Sequence, residues 1–159
     1  MYIQTFHLYL PQQMEKKVQD CNSPLECCLY FTANSLSRYI NELAEEAFAS
    51  TGLAPSYSYL MMLVTDKPGQ SQNELSHQMN LKPSTMTRFV EKLKQRELVY
   101  TSQEGRTVYV YPTEKGKEFR PLIDQALKRL YDMYCKILGE DFAVKLTADI
   151  HSANLKLEK

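Results

Sequence analysis

The sequence lacks any apolar run near the length of about 20 residues that a membrane-spanning helix needs. Its N-terminus also lacks a basic segment followed by a signal-like apolar core, so we expect a cytoplasmic protein with no membrane partner. There is no phosphate-binding loop, nucleophile elbow or plausible triad, which argues against an enzyme. His7, His77 and His151 are scattered without ligand spacing, so neither a metal site nor a cofactor is expected.

The sequence also lacks net charge, with 19 Lys and Arg against 19 Asp and Glu. This balance at first argues against nucleic acid, because non-specific DNA affinity depends largely on phosphate neutralisation. However, residues 82–117 hold eight basic and four acidic residues, whereas the rest holds eleven and fifteen. A chain of 159 residues that is 43% hydrophobic can bury one core, and its basic charge is concentrated in one segment.

That segment belongs to a predicted helix-turn-helix. Ser71 stands three residues before Glu74, which is a capping box, and Asn80 is a plausible left-handed end of this first helix. Pro83 opens the second helix, where its missing N–H is harmless. The apolar stripe of the second helix is Met86, Phe89, Val90 and Leu93.

The opposite face of the second helix carries small hydroxyls and long cations. These are Ser84, Thr85, Thr87, Arg88 and Lys92. Such side chains can contact base edges and phosphates when a recognition helix enters the major groove. A hairpin follows, with strands predicted at residues 99–101 and 107–111, a turn at residues 103–105, and Arg106 at the tip.

Long amphipathic helices are predicted on either side of this module. Ser23, Pro24 and Glu26 predict the start of one that ends at residues 51–52, and a buried helix is expected over residues 57–64. A continuous helix is expected from Glu114 to Leu138, followed by a final helix after Gly139. The apolar stripe of the helix from Glu114 to Leu138 is longer than a lone winged domain needs, so we expect it to pair with a second copy in a homodimer.

These motifs together resemble the MarR family of dimeric winged-helix transcription regulators. The most specific matches are Ser84, Thr87, Arg88, Arg106 and the segment from Thr113 to Gly116. The sequence departs from the family where Glu97 replaces a usual Gly at the end of the recognition helix, which predicts a strained end. It also departs where Glu104 replaces a usual Asp in the wing, which predicts a longer arm holding Arg106.

The resemblance implies a mainly α fold with a small β-wing. The predicted layout is an N-terminal arm (1–22), which lies outside the resemblance, followed by dimerisation helices (23–54 and 114–159) and a winged helix-turn-helix (55–113). The resemblance implies a DNA-binding regulator, a repressor released by a small aromatic ligand or an oxidant. The candidate contacts to double-stranded DNA are Ser71, Ser84, Thr85, Thr87, Arg88, Lys92, Arg106 and Thr107. The alternative is a winged module that binds proteins and no DNA.

The sequence offers two candidate sites for an effector. Some MarR-family members sense peroxide through a Cys near the start of the first long helix, a position that Cys27 matches, with Cys21 as a resolving thiol. Four cysteines are otherwise expected to be thiols and Cys28 to be buried. The second candidate site is a pocket for an aromatic ligand formed by Tyr30, Tyr57, Tyr59 and Met61, which can equally be core residues.

Overall fold

The computed structural model describes Ser23 and residues 25–158, so the expected N-terminal arm lies outside the described residues. The described residues fall into two compact units, one ending at Glu42 and the other beginning at Leu43. As predicted, the fold is mainly helical with a small β-wing. None of the described helices combines the length and the apolar character that spanning a bilayer needs.

The first long helix, α1 (Leu29–Phe48), begins later than the sequence predicted. Ser23 accepts the N–H of Leu25 at 3.1 Å, and backbone bonds from Glu26 to Ser23 and from Cys28 to Leu25 close a turn before the helix. The serine therefore caps this turn. Cys27 and Cys28 therefore both precede the helix, so the predicted start at Ser23, Pro24 and Glu26, which would have placed them in its first turn, is wrong.

The second unit begins with the last residues of α1, which bury Ala44, Ala47 and Phe48. A 3₁₀ turn (Ala49–Thr51) and Gly52, whose φ is +63°, end the helix where expected. Helix α2 (Pro55–Asp66) then places its apolar side chains at the centre of the core. Its apolar side chains with no exposed surface are Leu60, Met61 and Val64.

The helix-turn-helix consists of α3 (Gln72–Gln78) and α4 (Pro83–Gln95). The predicted capping box is present, and Asn80 has a φ of +51°. Met86, Val90 and Leu93 of α4 have no exposed surface, as the stripe predicted. The other face of α4 is consequently left for solvent or a partner.

The wing is larger than predicted and shares its sheet with a third strand. Strands β2 (Val99–Glu104) and β3 (Thr107–Pro112) are antiparallel and turn at Gly105 and Arg106, later than the expected turn at residues 103–105. Strand β1 (Gln70–Ser71) pairs with β3, giving the order β1-β3-β2. The wing is therefore hydrogen-bonded to the residues that start the helix-turn-helix.

The predicted continuous helix after the wing is wrong, because it breaks at Phe119. Helix α5 (Glu114–Glu118) is followed by α6 (Arg120–Leu138) and α7 (Glu140–Leu157). Pro121 has no N–H to continue a helix and begins a new one instead. Ile123, Ala126 and Leu130 of α6 pack in the core of the same chain.

Candidate nucleic-acid interface

The polar face of α4 is presented to solvent with its cations unpaired. Ser84, Arg88 and Lys92 are exposed, and Thr85 is half-buried. Within the part of the chain that the structure describes, Lys82, Arg88, Lys92 and Arg106 form no ion pair. Cations without carboxylate partners keep their full charge for phosphates or base edges.

By contrast, the lysines at the C-terminal end of the module are paired. Lys94 contacts Glu91 at 3.0 Å, Lys115 contacts Glu97 at 3.3 Å, and Lys117 contacts Glu114 at 2.7 Å. After these pairings, the cations left without a carboxylate partner on or beside the polar face of α4 are Lys82, Arg88 and Lys92, and Arg106 is left at the wing tip. The sequence alone did not separate paired from unpaired cations, because pairing depends on side-chain geometry.

Thr87 is exposed on this face, yet its hydroxyl already has partners. Its Oγ1 donates to Gln72 Oε1 at 3.0 Å and lies 3.1 Å from the carbonyl oxygen of Pro83. Gln72, the first residue of α3, was not predicted as a site residue. The sequence signal that could have identified Gln72 is its position, as a polar side chain at the start of the helix that precedes the recognition helix.

Ser71 is 8% exposed and serves as the N-cap of α3. Its Oγ accepts the backbone N–H of Glu74 at 3.2 Å and donates to Glu74 Oε2 at 2.8 Å. The same carboxylate accepts the N–H of Ser71 at 2.7 Å. These bonds hold the pKa of Glu74 below its usual range, and the bond from the backbone N–H of Ser71 has the largest effect. The hydroxyl of Ser71 is engaged in the fold, which leaves it little capacity for an outside contact.

Arg106 and Thr107 form the tip of the wing. Arg106 is exposed, Thr107 is half-buried, and Thr107 pairs with Glu104 across the hairpin. Gly105 adopts a φ of +61°, which favours glycine in this turn. No ion pair joins Glu104 to Arg106, both of which the structure describes, so the expected longer holding arm is wrong. Gln103 Nε2 instead donates to the carbonyl of Gly105 at 3.1 Å.

The segment from Thr113 to Gly116 supports the recognition helix from behind. Thr113 Oγ1 donates to the carbonyl of Glu97 at 2.7 Å, and Lys115 Nζ donates to the carbonyl of Arg96 at 2.9 Å. A Cβ at Gly116 would lie 2.0 Å from the carbonyl oxygen of Leu98, so only glycine fits. These residues carried the resemblance, and their role here is to fix the end of α4.

The predicted effector residues are placed in two different environments. Met61 has no exposed surface, Tyr57 stacks on Phe89 at 4.5 Å between ring centroids, and Tyr59 packs on Phe48 at 5.6 Å. Burial is the first cause that raises the pKa of Tyr59. This packing supports the core interpretation of the three residues. Tyr30 belongs to the first unit and is 79% exposed.

An aromatic cavity that the sequence did not indicate lies between α6 and α7. Its volume is about 330 Å³, and its lining includes Tyr131, Tyr134, Val144 and His151. The hydroxyl of Tyr131 donates to Glu140 at 2.9 Å, and this bond is the first cause that raises the pKa of Tyr131. The rings of Tyr131 and Tyr134 meet edge to face at 5.4 Å.

The cysteines differ from the expectation of four thiols. Cys27 is disulfide-bonded, and its partner lies outside the described residues, as does Cys21. Cys28 is an exposed free thiol, whereas the stripe predicted it to be buried, and Cys135 is a half-buried free thiol. Within residues 25–158, no group of three or more His, Cys, Asp or Glu is arranged to hold a metal ion.

Comparison with known proteins adds sequence and structural matches. Residues 54–105 match the MarR family, and no curated protein matches the chain. The PcaV transcriptional regulator of Streptomyces coelicolor, solved with its natural ligand, has a TM-score of 0.76 at 18% identity, covering 86% of this chain and 98% of PcaV. The transcriptional repressor CouR, bound to a 23-mer DNA duplex, has a TM-score of 0.75 at 18% identity, covering 82% and 94%.

A third solved structure agrees with these. A MarR-family transcriptional regulator from Rhodococcus sp. RHA1 has a TM-score of 0.70 at 19% identity, covering 79% of this chain and 91% of that one. At such identities the structural likeness concerns the fold, whereas the match over residues 54–105 is one of sequence. Residues 54–105, which hold most of the winged helix-turn-helix, therefore match the MarR family by sequence, and the fold is that of solved MarR-family transcription regulators.

Proposed function

We propose that the protein is a homodimeric, sequence-specific DNA-binding transcription regulator, a repressor that a small aromatic ligand or an oxidant releases from DNA. The observation that carries the proposal is the exposed polar face of α4, whose Arg88 and Lys92 are unpaired. An arginine in the major groove can make bidentate bonds to guanine, and hydroxyls such as Ser84 can serve several bases. Unpaired Arg106 extends the same charge to the tip of the wing.

Dimerisation is supported by apolar side chains that the single chain leaves in solvent. On α6 and α7, Ile137 is 66% exposed, Phe142 57% and Leu157 72%. A second copy that covers these helices would remove this surface from water and set two recognition helices about one DNA turn apart. The bound DNA site would then be roughly palindromic.

Release by an effector is supported by the related folds and by the chemistry of the first unit. PcaV was solved with its natural ligand, and CouR of Rhodococcus jostii RHA1 with p-coumaroyl-CoA. Cys27 is disulfide-bonded, and the ability to form a disulfide supports a response to an oxidant. A ligand or an oxidant would act by favouring a spacing of the recognition helices that DNA does not match.

The rival function is a winged module that binds a protein and no DNA. A protein surface gives no reason to keep Arg88 and Arg106 exposed and unpaired on two separate elements, whereas contact with two adjacent grooves does.

Selection of bound sequences from random duplex DNA, followed by salt titration of the selected duplex, tests the proposal. We expect a roughly palindromic consensus and an affinity that falls steeply with salt, since several phosphates are neutralised. Recovery of no consensus, together with equally weak binding to every duplex, would overturn sequence-specific binding. Release of the selected duplex by peroxide or by phenolic compounds tests the effector.

A further inference from the structure

The bond between Thr87 and Gln72 changes which of the two side chains can contact DNA. The hydroxyl of Thr87 carries one proton, and both oxygens within reach, Gln72 Oε1 at 3.0 Å and the Pro83 carbonyl at 3.1 Å, are acceptors from the protein. Thr87 therefore has no proton to donate to a base while this arrangement holds. Its methyl group and lone pairs are its only remaining means of contact.

Gln72 gains a fixed orientation from the same bond. Its amide oxygen is turned toward Thr87, so its NH₂ group points away from that hydroxyl and neither N–H donates to any residue that the structure describes. Gln72 is half-buried, which restricts its rotation, and it stands at the start of α3. In a helix-turn-helix, the helix before the recognition helix crosses the DNA backbone.

We infer that Gln72 is a DNA-contacting residue that donates its amide N–H to a phosphate oxygen, and that Thr87 is a positioning residue that orients this amide without reading a base. The inference rests on the proposed function, since it assigns roles within the same DNA surface. Neutral side-chain amides commonly donate to phosphate oxygens. Such bonds fix the register and orientation of the protein on the duplex without depending on the base sequence. Arg88 and Ser84 remain to read bases.

The two roles make opposite predictions for sequence preference. A phosphate contact affects all duplexes alike, whereas a base contact affects one position of the site. If Thr87 acts only through Gln72, its removal should matter only while Gln72 is present. A double-mutant cycle measured on selected and unrelated duplexes therefore separates the two assignments.

The test uses Gln72→Met, Thr87→Val and the double variant, all nearly isosteric. We expect each single variant to bind both the selected and an unrelated duplex about 3- to 10-fold more weakly, the loss of one neutral hydrogen bond. The double variant should bind no more weakly than Gln72→Met. Thr87→Ser should bind as the wild type does, because it keeps the hydroxyl that bonds to Gln72.

Gln95→Met, the same substitution at an exposed site near the other end of α4, is the control and should bind as the wild type does. An unchanged affinity of Gln72→Met would overturn the inference. The inference would also be overturned if Thr87→Val altered the preference at one base pair and if its loss of affinity multiplied that of Gln72→Met in the double variant. Failure of the wild type to bind any duplex would instead contradict the proposed function itself.

Discussion

Lys115 reaches back across 19 residues and donates its ammonium group to the backbone carbonyl of Arg96 at 2.9 Å. Arg96 in turn donates to the carbonyl of Gly52 at 2.6 Å. The end of the recognition helix is thus bonded to the chain on both sides: to the residues that follow the wing and to the turn that follows α1. Its direction is set by these bonds as well as by its buried stripe.

This helix end carries a strained residue, which gives the first prediction. Glu97 has a φ of +61°, a conformation that costs a non-glycine residue about 1–2 kcal/mol. Glu97→Gly should therefore raise the free energy of unfolding by about 0.5–1 kcal/mol, after allowance for the greater backbone freedom of glycine in the unfolded chain. Urea unfolding measures the change. Glu97→Ala, which loses the Lys115 contact but keeps the strain, should show no gain.

A buried hydroxyl gives the second prediction. Ser58 has no exposed surface, and its Oγ has no hydrogen-bond partner among the residues that the structure describes. Ser58→Ala should stabilise the protein by about 1 kcal/mol, because it removes an unsatisfied buried group. Ser76→Ala is the control, since the hydroxyl of buried Ser76 donates to the carbonyl of Asn73 at 2.8 Å. Equal effects of the two variants in thermal unfolding would contradict the argument.

The capping box predicts a dependence on pH. The pKa of Glu74 is held below its ordinary value of 4.5 in the folded protein, chiefly by the N–H of Ser71. A lowered pKa contributes stability that is present above the ordinary pKa and is lost as the pH falls through the folded value. The stability difference between wild type and Glu74→Gln should thus be constant near neutral pH and shrink below pH 4.5. A difference that grew on acidification would exclude this linkage.

The wing tip provides a prediction on DNA affinity. Arg106 should insert into a minor groove, where narrow A·T-rich segments concentrate negative potential. Arg106→Ala should weaken binding to the selected duplex by about 1–3 kcal/mol. Fluorescence anisotropy with Lys145→Ala as a charge-matched control measures the loss. Unaltered affinity of Arg106→Ala would show that the wing does not contact DNA.

Assembly is tested on the side chains that the chain leaves exposed. Leu127 and Leu130, part of the stripe that the sequence assigned to the interface, pack on the core of the same chain, so charging them would unfold the protomer. Ile137→Glu with Phe142→Glu should instead yield a folded monomer, because charges would face an apolar partner surface. Analytical ultracentrifugation measures the oligomeric state, and the control variant Lys156→Glu should remain a dimer. A persistent dimer would place the interface elsewhere.

The sequence predicted the helix-turn-helix well because its signals are local. The capping box at Ser71, Pro83 and the apolar stripe of α4 each act within a few residues. Non-local features were missed: β1 forms only because Gln70 pairs with Val110, and the Thr87 bond depends on Gln72, 15 residues earlier. Helix α1 was predicted too early because a proline and a serine favour a tight turn as readily as a helix start.

The division between the polar face of α4 and its buried stripe has a consequence for how such proteins diversify. Ser84 and Arg88 are exposed and make no contact that the core depends on, while Met86, Val90 and Leu93 are wholly enclosed. The residues proposed to select a base sequence can therefore be exchanged at little thermodynamic cost. A gene duplicate could acquire a new operator through one or two substitutions and inherit an unchanged scaffold.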